Sequence, residues 1–293
     1  MEIDGERRSY SIHSQEFRDY LLGRGRELTG KLIESAKVDT VCLHLDAKGR
    51  SSKDIVEVAM RCGYSAKTSE QKAQLFYDLY NDKGQIIEIA DGRWQVLSAK
   101  QKESIPVRFV RGQRGVEMPV PTPCSDDELE DRLDELWQHI HAPREWRNVV
   151  LAYLVDSLMP HTPHPLHDVL AEHRSGKTYG FARPIRELID PQGAAMSGAP
   201  TTLHELKVSL AADYASFFDN ASELTQAEQD ALCVAVENGT LPTRELYTTQ
   251  QLVELQAGGP VCTMTTEPGM YTRPDAQDRL LTTMIEKLSL IHI

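Results

Sequence analysis

Residues 171–178 read AEHRSGKT. Gly176, Lys177 and Thr178 are the second half of the phosphate-binding pattern G-x-x-x-x-G-K-S/T, in which backbone N–H groups cradle phosphates, the lysine reaches the β- and γ-phosphates and the hydroxyl ligates Mg²⁺. Ala171 stands where the first glycine belongs, and Arg174 lies inside the loop, where glycine supplies the permissive backbone angles. Chemistry on a metal-bound triphosphate also needs an acid on a neighbouring strand. Asp219 ends the apolar run that starts at Tyr214, with Asn220 beside it. Lys177, Asp219 and Asn220 are therefore the candidate catalytic residues, and Thr178 and Asp219 the candidate Mg²⁺ ligands. Ala171, Glu172, His173, Arg174, Ser175, Gly176, Lys177, Thr178 and Tyr179 form the candidate nucleotide-binding loop.

Such a loop has to be held between a strand and a helix. The run DVLAE before it predicts a short strand, weakened by His167 and Asp168 at its start, and YASFFDN (214–220) and PVCTMTT (260–266) predict two more. Strands with intervening helices indicate an α/β fold, a parallel sheet with helices on both faces. Upstream, the residues from Arg144 to Met159 predict a helix that buries Trp146, Val149, Val150, Tyr153, Leu154 and Leu158. The acidic run 125–136 predicts a helix with Ser125 as N-cap, Glu128 completing a capping box, and leucines 129, 133 and 136 on one face. The first hundred residues predict a helix over 14–37 capped by Ser14, strands at 41–45 and 73–80, and a hairpin from 85–90 and 93–97. The expected organisation is a small α+β domain at 1–117, a Pro-rich linker at 118–124 (MPVPTPC) and a nucleotide-handling domain at 125–287.

Composition narrows the classes. A net charge of -12 argues against a surface coated for nucleic acid, while leaving a local basic channel open. No apolar run approaches the roughly 18–20 residues that span a bilayer, and MEIDGERRSY is too polar for a signal peptide, so no membrane partner and a cytoplasmic location are expected. The 5 cysteines are scattered without a C-x-x-C pair and read as reduced, mostly buried thiols. His161, His164 and His167, with His139, His141 and His173 nearby, could suggest a metal site, but prolines 160, 163 and 165 favour an exposed loop. Trp94, Trp137 and Trp146 are read as core anchors.

Residues from about 85 to 287 resemble a family of P-loop ATPases of bacteriophages and other mobile elements, described as ATP-binding or primase-helicase-like replication proteins. The resemblance is carried by IIEIADGRWQVL, PVRFVRGQRGVEMPVP, WRNVVLAYLVDSLMP, AEHRSGKTYGFARPIRELIDP, FFDNASELTQAEQDALCVAVENGTLPTRELYTT, GGPVCTMTTEP and DRLL. It implies an AAA-like P-loop NTPase sheet, ATP and Mg²⁺ as cofactors, FDN as the second acidic motif, DNA as a partner and a homo-oligomeric ring. Arg279 in DRLL and Arg244 in TRELYT are then candidate arginine fingers. Where that family has a polar Asn after its third strand, this chain offers Thr263, Thr265 or Thr266. Members continue past DRLL, and the last six residues, LSLIHI (288–293), match a translated transposon-end adapter, so a C-terminally truncated chain is expected.

The leading reading is a helicase-like ATPase in the DNA replication of a mobile element. A catalytically inactive scaffold of the same apparatus stands beside it, with Ala171 and Arg174 relaxing the loop. A sequence-specific DNA-binding regulator is a third reading, disfavoured by the acidic balance.

Overall fold

The computed structural model describes residues 11–287 except 13, 54–57, 67–71, 99, 102–104, 113 and 245–251, together with a ladder between β1 (Glu2–Ile3) and β2 (Glu6–Arg7). The expected tail at 288–293 and most of TRELYT lie outside the described residues. Ser14 Oγ accepts from the Phe17 amide and opens α1 (Gln15–Thr29). That helix stops at Gly30, whose φ of 67° lets its N–H return to the Arg26 carbonyl. α2 (Ser35–Ser51) follows. The helix expected over 14–37 is thus two helices, and the strand expected at 41–45 is helical. Val38 and Cys42, one helical turn apart, bury against Phe17, while Val41, Leu43 and Leu45 stay exposed. A short apolar run has no period of its own, and this buried pair selects the helix.

β3 (Val58–Ala59) precedes an antiparallel meander of β4 (Cys62–Ser65), β5 (Gln74–Asp78), β6 (Ile86–Ala90) and β7 (Arg93–Leu97), and pairs in parallel with β8 (Arg108–Phe109) beyond it. One meander face buries Phe76, Ile86 and Leu97 with Ile105, Val107 and Phe109. Trp94 is no core anchor: it is 42% exposed on the edge strand, opposite the similarly exposed Ile89. Trp137 and Trp146 are half-buried.

Ser125 donates through both its N–H and its hydroxyl to Glu128, the capping box expected, and a 3-10 turn leads into α3 (Leu129–His139). Leu129 is exposed, while Leu136 and Trp137 pack against the core. α4 (Arg147–Asp156) buries Val150 and Tyr153. Next come β9 (Leu166–Ala171), α5 (Arg183–Ile189), β10 (Ser197–Gly198), α6 (Leu203–Ala212) and β11 (Ser216–Asp219). α7 (Gln226–Val236), the hairpin β12 (Thr240–Arg244) and β13 (Leu252–Gln256), β14 (Val261–Thr265), α8 (Pro274–Asp278) and β15 (Leu280–Ile285) complete the chain.

β10, β11, β14, β9 and β15 form one sheet in that order, and every pair is parallel. The fold is mixed α/β around this sheet. Adjacent residues of β11 enter different cores, Phe217 joining α4 and α5 residues and Phe218 joining α6 and α7 residues, as the two-residue strand period requires with helices on both faces. The first of these cores also takes in Cys62, Tyr77 and Leu79 of the meander region. Among the described residues, no helix is long and apolar enough to cross a membrane.

Candidate nucleotide site

β9 ends at Ala171, and the chain turns through residues 172–176 into a π-type turn, Lys177–Ala182, continuous with α5. Gly176 has φ 84°, a conformation in which a side chain is strained, and Arg174 adopts φ 61° without glycine's freedom. Glu172, His173 and Arg174 are exposed. Ser175 is 1% exposed, and its buried hydroxyl has no hydrogen-bond partner among the described residues.

Lys177 is buried. Its Nζ donates to the Ala171 carbonyl at 3.3 Å and the Thr265 carbonyl at 3.0 Å, the ends of β9 and β14. Loss of solvent pulls its pKa below the ordinary lysine value, against the opposing pull of Asp219 and Asp168. Thr178 Oγ1 donates to Asp219 Oδ2 at 2.8 Å, and the other carboxylate oxygen accepts from the Asn220 amide at 2.8 Å. Asn220 has φ 54°, which its short polar side chain tolerates. Tyr179 is largely exposed, with the Arg183 guanidinium 6.0 Å from its ring.

These residues meet at the carboxyl ends of parallel strands. From β9 the chain crosses to β10 at the far edge, and from β14 it passes to β15 on the other side of β9. Connections that diverge in this way leave a crevice beyond the strand ends, where ligands of open α/β sheets bind.

The sequence assigns Asp168 no role and places it, with His167, at the weakened start of β9. Both lie inside the strand. Asp168 Oδ1 accepts from Thr263 Oγ1 at 3.0 Å and Oδ2 from Thr265 Oγ1 at 3.1 Å. Burial raises its pKa, with the threonine bonds and Lys177 opposing. Thr263 and Thr265, offered for orienting water, are thus held by Asp168, and Thr263 also bonds the Tyr271 hydroxyl. The alternating threonines of PVCTMTT were the available signal, because they supply partners to a polar residue on the facing strand.

Of the three histidines expected in an exposed loop, His161 alone is exposed. It stacks on Tyr64 with ring centroids 3.7 Å apart. His164 is buried, with Nδ1 2.9 Å from Asp156, and His167 is buried, with Nε2 2.9 Å from Thr283 Oγ1. Prolines exclude a helix here, but they do not keep the flanking residues out of a strand. Arg279 forms ion pairs with Glu237 and Asp275 of its own chain and precedes β15, at the amino ends of the strands and so at the end of the sheet away from the Lys177 loop. Arg244 ends β12, and its side chain lies outside the described residues.

The geometry defines a mixed α/β protein with a lysine, a threonine and a carboxylate gathered at the ends of a five-stranded parallel sheet. The family model of the actinomycete integrative conjugative element replication protein matches residues 131–291, and the chain belongs to that family. It is therefore a replication-associated protein of a mobile element. Solved structures with partial similarity include the JCV helicase, 17% identical over 54% of this chain and 45% of that one, with a TM-score of 0.36. Another is the apo C-terminal region of NrS-1, 10% identical over 72% of this chain and 59% of that one, with a TM-score of 0.37. The chain spans 45% and 59% of the lengths of these solved chains. No curated protein matches it.

Proposed function

We propose that the Gly176–Thr178 turn and Asp219 form a P-loop site for ATP and Mg²⁺, and that the chain acts there as a helicase-like ATPase in the DNA replication of its element, assembled as a homo-oligomeric ring. The observation that carries this reading is the Thr178–Asp219 hydrogen bond of 2.8 Å beside the buried Lys177. An ammonium has three donors, and the two described partners of Lys177 are carbonyls, which leaves donor capacity for a phosphate oxygen. The Ser175 hydroxyl, without a partner among the described residues, and the left-handed Gly176 fit an anion cradle.

Lys177 would hold the β- and γ-phosphates, Thr178 and Asp219 would hold Mg²⁺, and Asp219 with Asn220 would place the attacking water. Bound Mg²⁺ would offset the charge on the phosphates. In a ring, Arg279 or Arg244 of a neighbouring subunit would complete the site. For Arg279 this requires release of Glu237 and Asp275.

Calorimetry with ATP and Mg²⁺ on the wild type and Lys177→Ala tests the site, followed by phosphate release with and without single-stranded DNA. Binding lost in the variant supports the reading. No binding by the wild type overturns it in favour of the inactive scaffold, for which Arg174 at φ 61° is the favouring observation.

A further inference from the structure

Arg61 has no solvent exposure, yet it lies in the meander region, on the residue before β4 and far in sequence from the loop. Its backbone is at φ 53°, and its own N–H donates to the Tyr80 hydroxyl at 3.2 Å. The guanidinium lies over the Tyr80 ring, 3.6 Å from the centroid. Its remaining bonds run to the carbonyls of Asp78, Val116 and Pro191 and, from Nε at 2.7 Å, to Asp190 Oδ1. A buried guanidinium satisfied this fully fixes whatever it touches.

Asp190 immediately follows α5, the helix that continues from Lys177 and Thr178. Its second oxygen accepts from the Ala215 amide at 3.1 Å, and Ala215 precedes β11, the strand that ends in Asp219. One carboxylate thus fastens the far end of the loop helix to the near end of the acid-bearing strand. Thr178 and Asp219 join the same two elements at the other end. Tyr77 adds a parallel tie, its hydroxyl donating to the Ile189 carbonyl at 2.7 Å.

We propose that Arg61 is a positioning residue for the Thr178–Asp219 pair, acting through Asp190, so that the meander region sets the register between the loop helix and β11. This rests on the nucleotide reading for its activity readout but not for its structural one. Arg61→Lys keeps the charge and loses the planar fork, and Asp190→Asn keeps the shape and loses the charge.

The test combines ATP affinity, with and without Mg²⁺, and hydrogen exchange of the ligand-free protein, both at a temperature where circular dichroism shows each variant folded. In the variants the affinity gained on adding Mg²⁺ falls by about tenfold or more, while Mg²⁺-free affinity stays within about threefold. Exchange rises in peptides covering 177–189 and 216–221. A merely structural ion pair would lower the melting midpoint and leave the Mg²⁺ gain and the exchange at 216–221 unchanged, which overturns the inference. If the wild type binds no ATP, the nucleotide reading fails, and exchange alone decides: an increase at 216–221 supports the coupling, and one confined to 58–65 sinks it.

Discussion

Thr178 hydrogen-bonds Asp219 at 2.8 Å across 41 residues of chain. The bond joins the first turn after the loop to the end of a strand two places away in the sheet. Its partners are the two groups that the nucleotide reading assigns to Mg²⁺. Thr178→Ser keeps the hydroxyl and is expected to hold Mg²⁺-dependent ATP affinity within about threefold, whereas Thr178→Ala loses about ten- to a hundredfold. Titration of Mg²⁺ at fixed ATP checks this. Equal behaviour of the two variants would remove Thr178 from the metal site.

The turn that follows the loop is anchored by Phe181, which has no solvent exposure and meets the His167 ring edge-on at 6.0 Å between centroids. Phe181→Ala is expected to cost about 3–5 kcal/mol, and Phe181→Leu much less, because a branched side chain refills part of the cavity. Denaturant unfolding with an unchanged m-value measures the difference.

His167 and Asp168 are neighbours with opposite pH signatures. Burial pushes the His167 pKa down to about 3. The unfolded chain takes up a proton near pH 6.5 that the folded chain refuses, so stability falls from pH 6.5 toward pH 3 by about 1.4 kcal/mol per unit. His167→Gln should flatten that slope in thermal midpoints recorded across the interval.

Burial raises the Asp168 pKa above 3.8, so the folded state keeps that proton to higher pH than the unfolded chain. Stability from this group is therefore present below pH 3.8 and lost as pH rises through the folded value, leaving a cost at neutrality. Asp168→Asn is expected to raise the melting midpoint at pH 7, with the gap closing toward pH 4. A midpoint lowered at pH 7 would show that the charge itself is needed between the threonines.

Arg174 occupies a left-handed conformation that suits glycine or asparagine. Arg174→Gly should fold as well as the wild type. Arg174→Val, β-branched at positive φ, should lose about 1–2 kcal/mol, as measured by thermal unfolding. If valine is tolerated equally, this loop does not hold the backbone described.

The loop, the acid at its far side and the strands β11 and β14 were legible because each combines a local pattern with a chemical requirement. GKT follows an apolar run, and FFD ends one. The capping box at Ser125 was similarly local, and the structure adds a second at Thr225 that starts α7 at Gln226. What sequence reasoning missed was set by partners distant in the chain. Asp168 is a buried strand residue with its carboxylate satisfied because Thr263 and Thr265 face it, His167 is buried against Thr283, and Arg61 acquires its setting from Asp190. The helix at 41–45 follows from one buried pair against Phe17 that a five-residue apolar run could not announce.

The neighbours of β9 give it a place in time as well as in space. Leu166–Ala171 pairs on one side with 261–265 and on the other with 280–285, and no earlier segment of the sheet touches it. During synthesis the lysine-bearing turn would leave the ribosome long before either flanking strand exists. It can take its final shape only after Leu280–Ile285 has been made, a closure of high contact order that folds slowly. A nascent chain stopped before Val261 would expose the strand Leu166–Ala171 on both edges, and one stopped between Thr265 and Leu280 on one, states in which this protein would need a chaperone most.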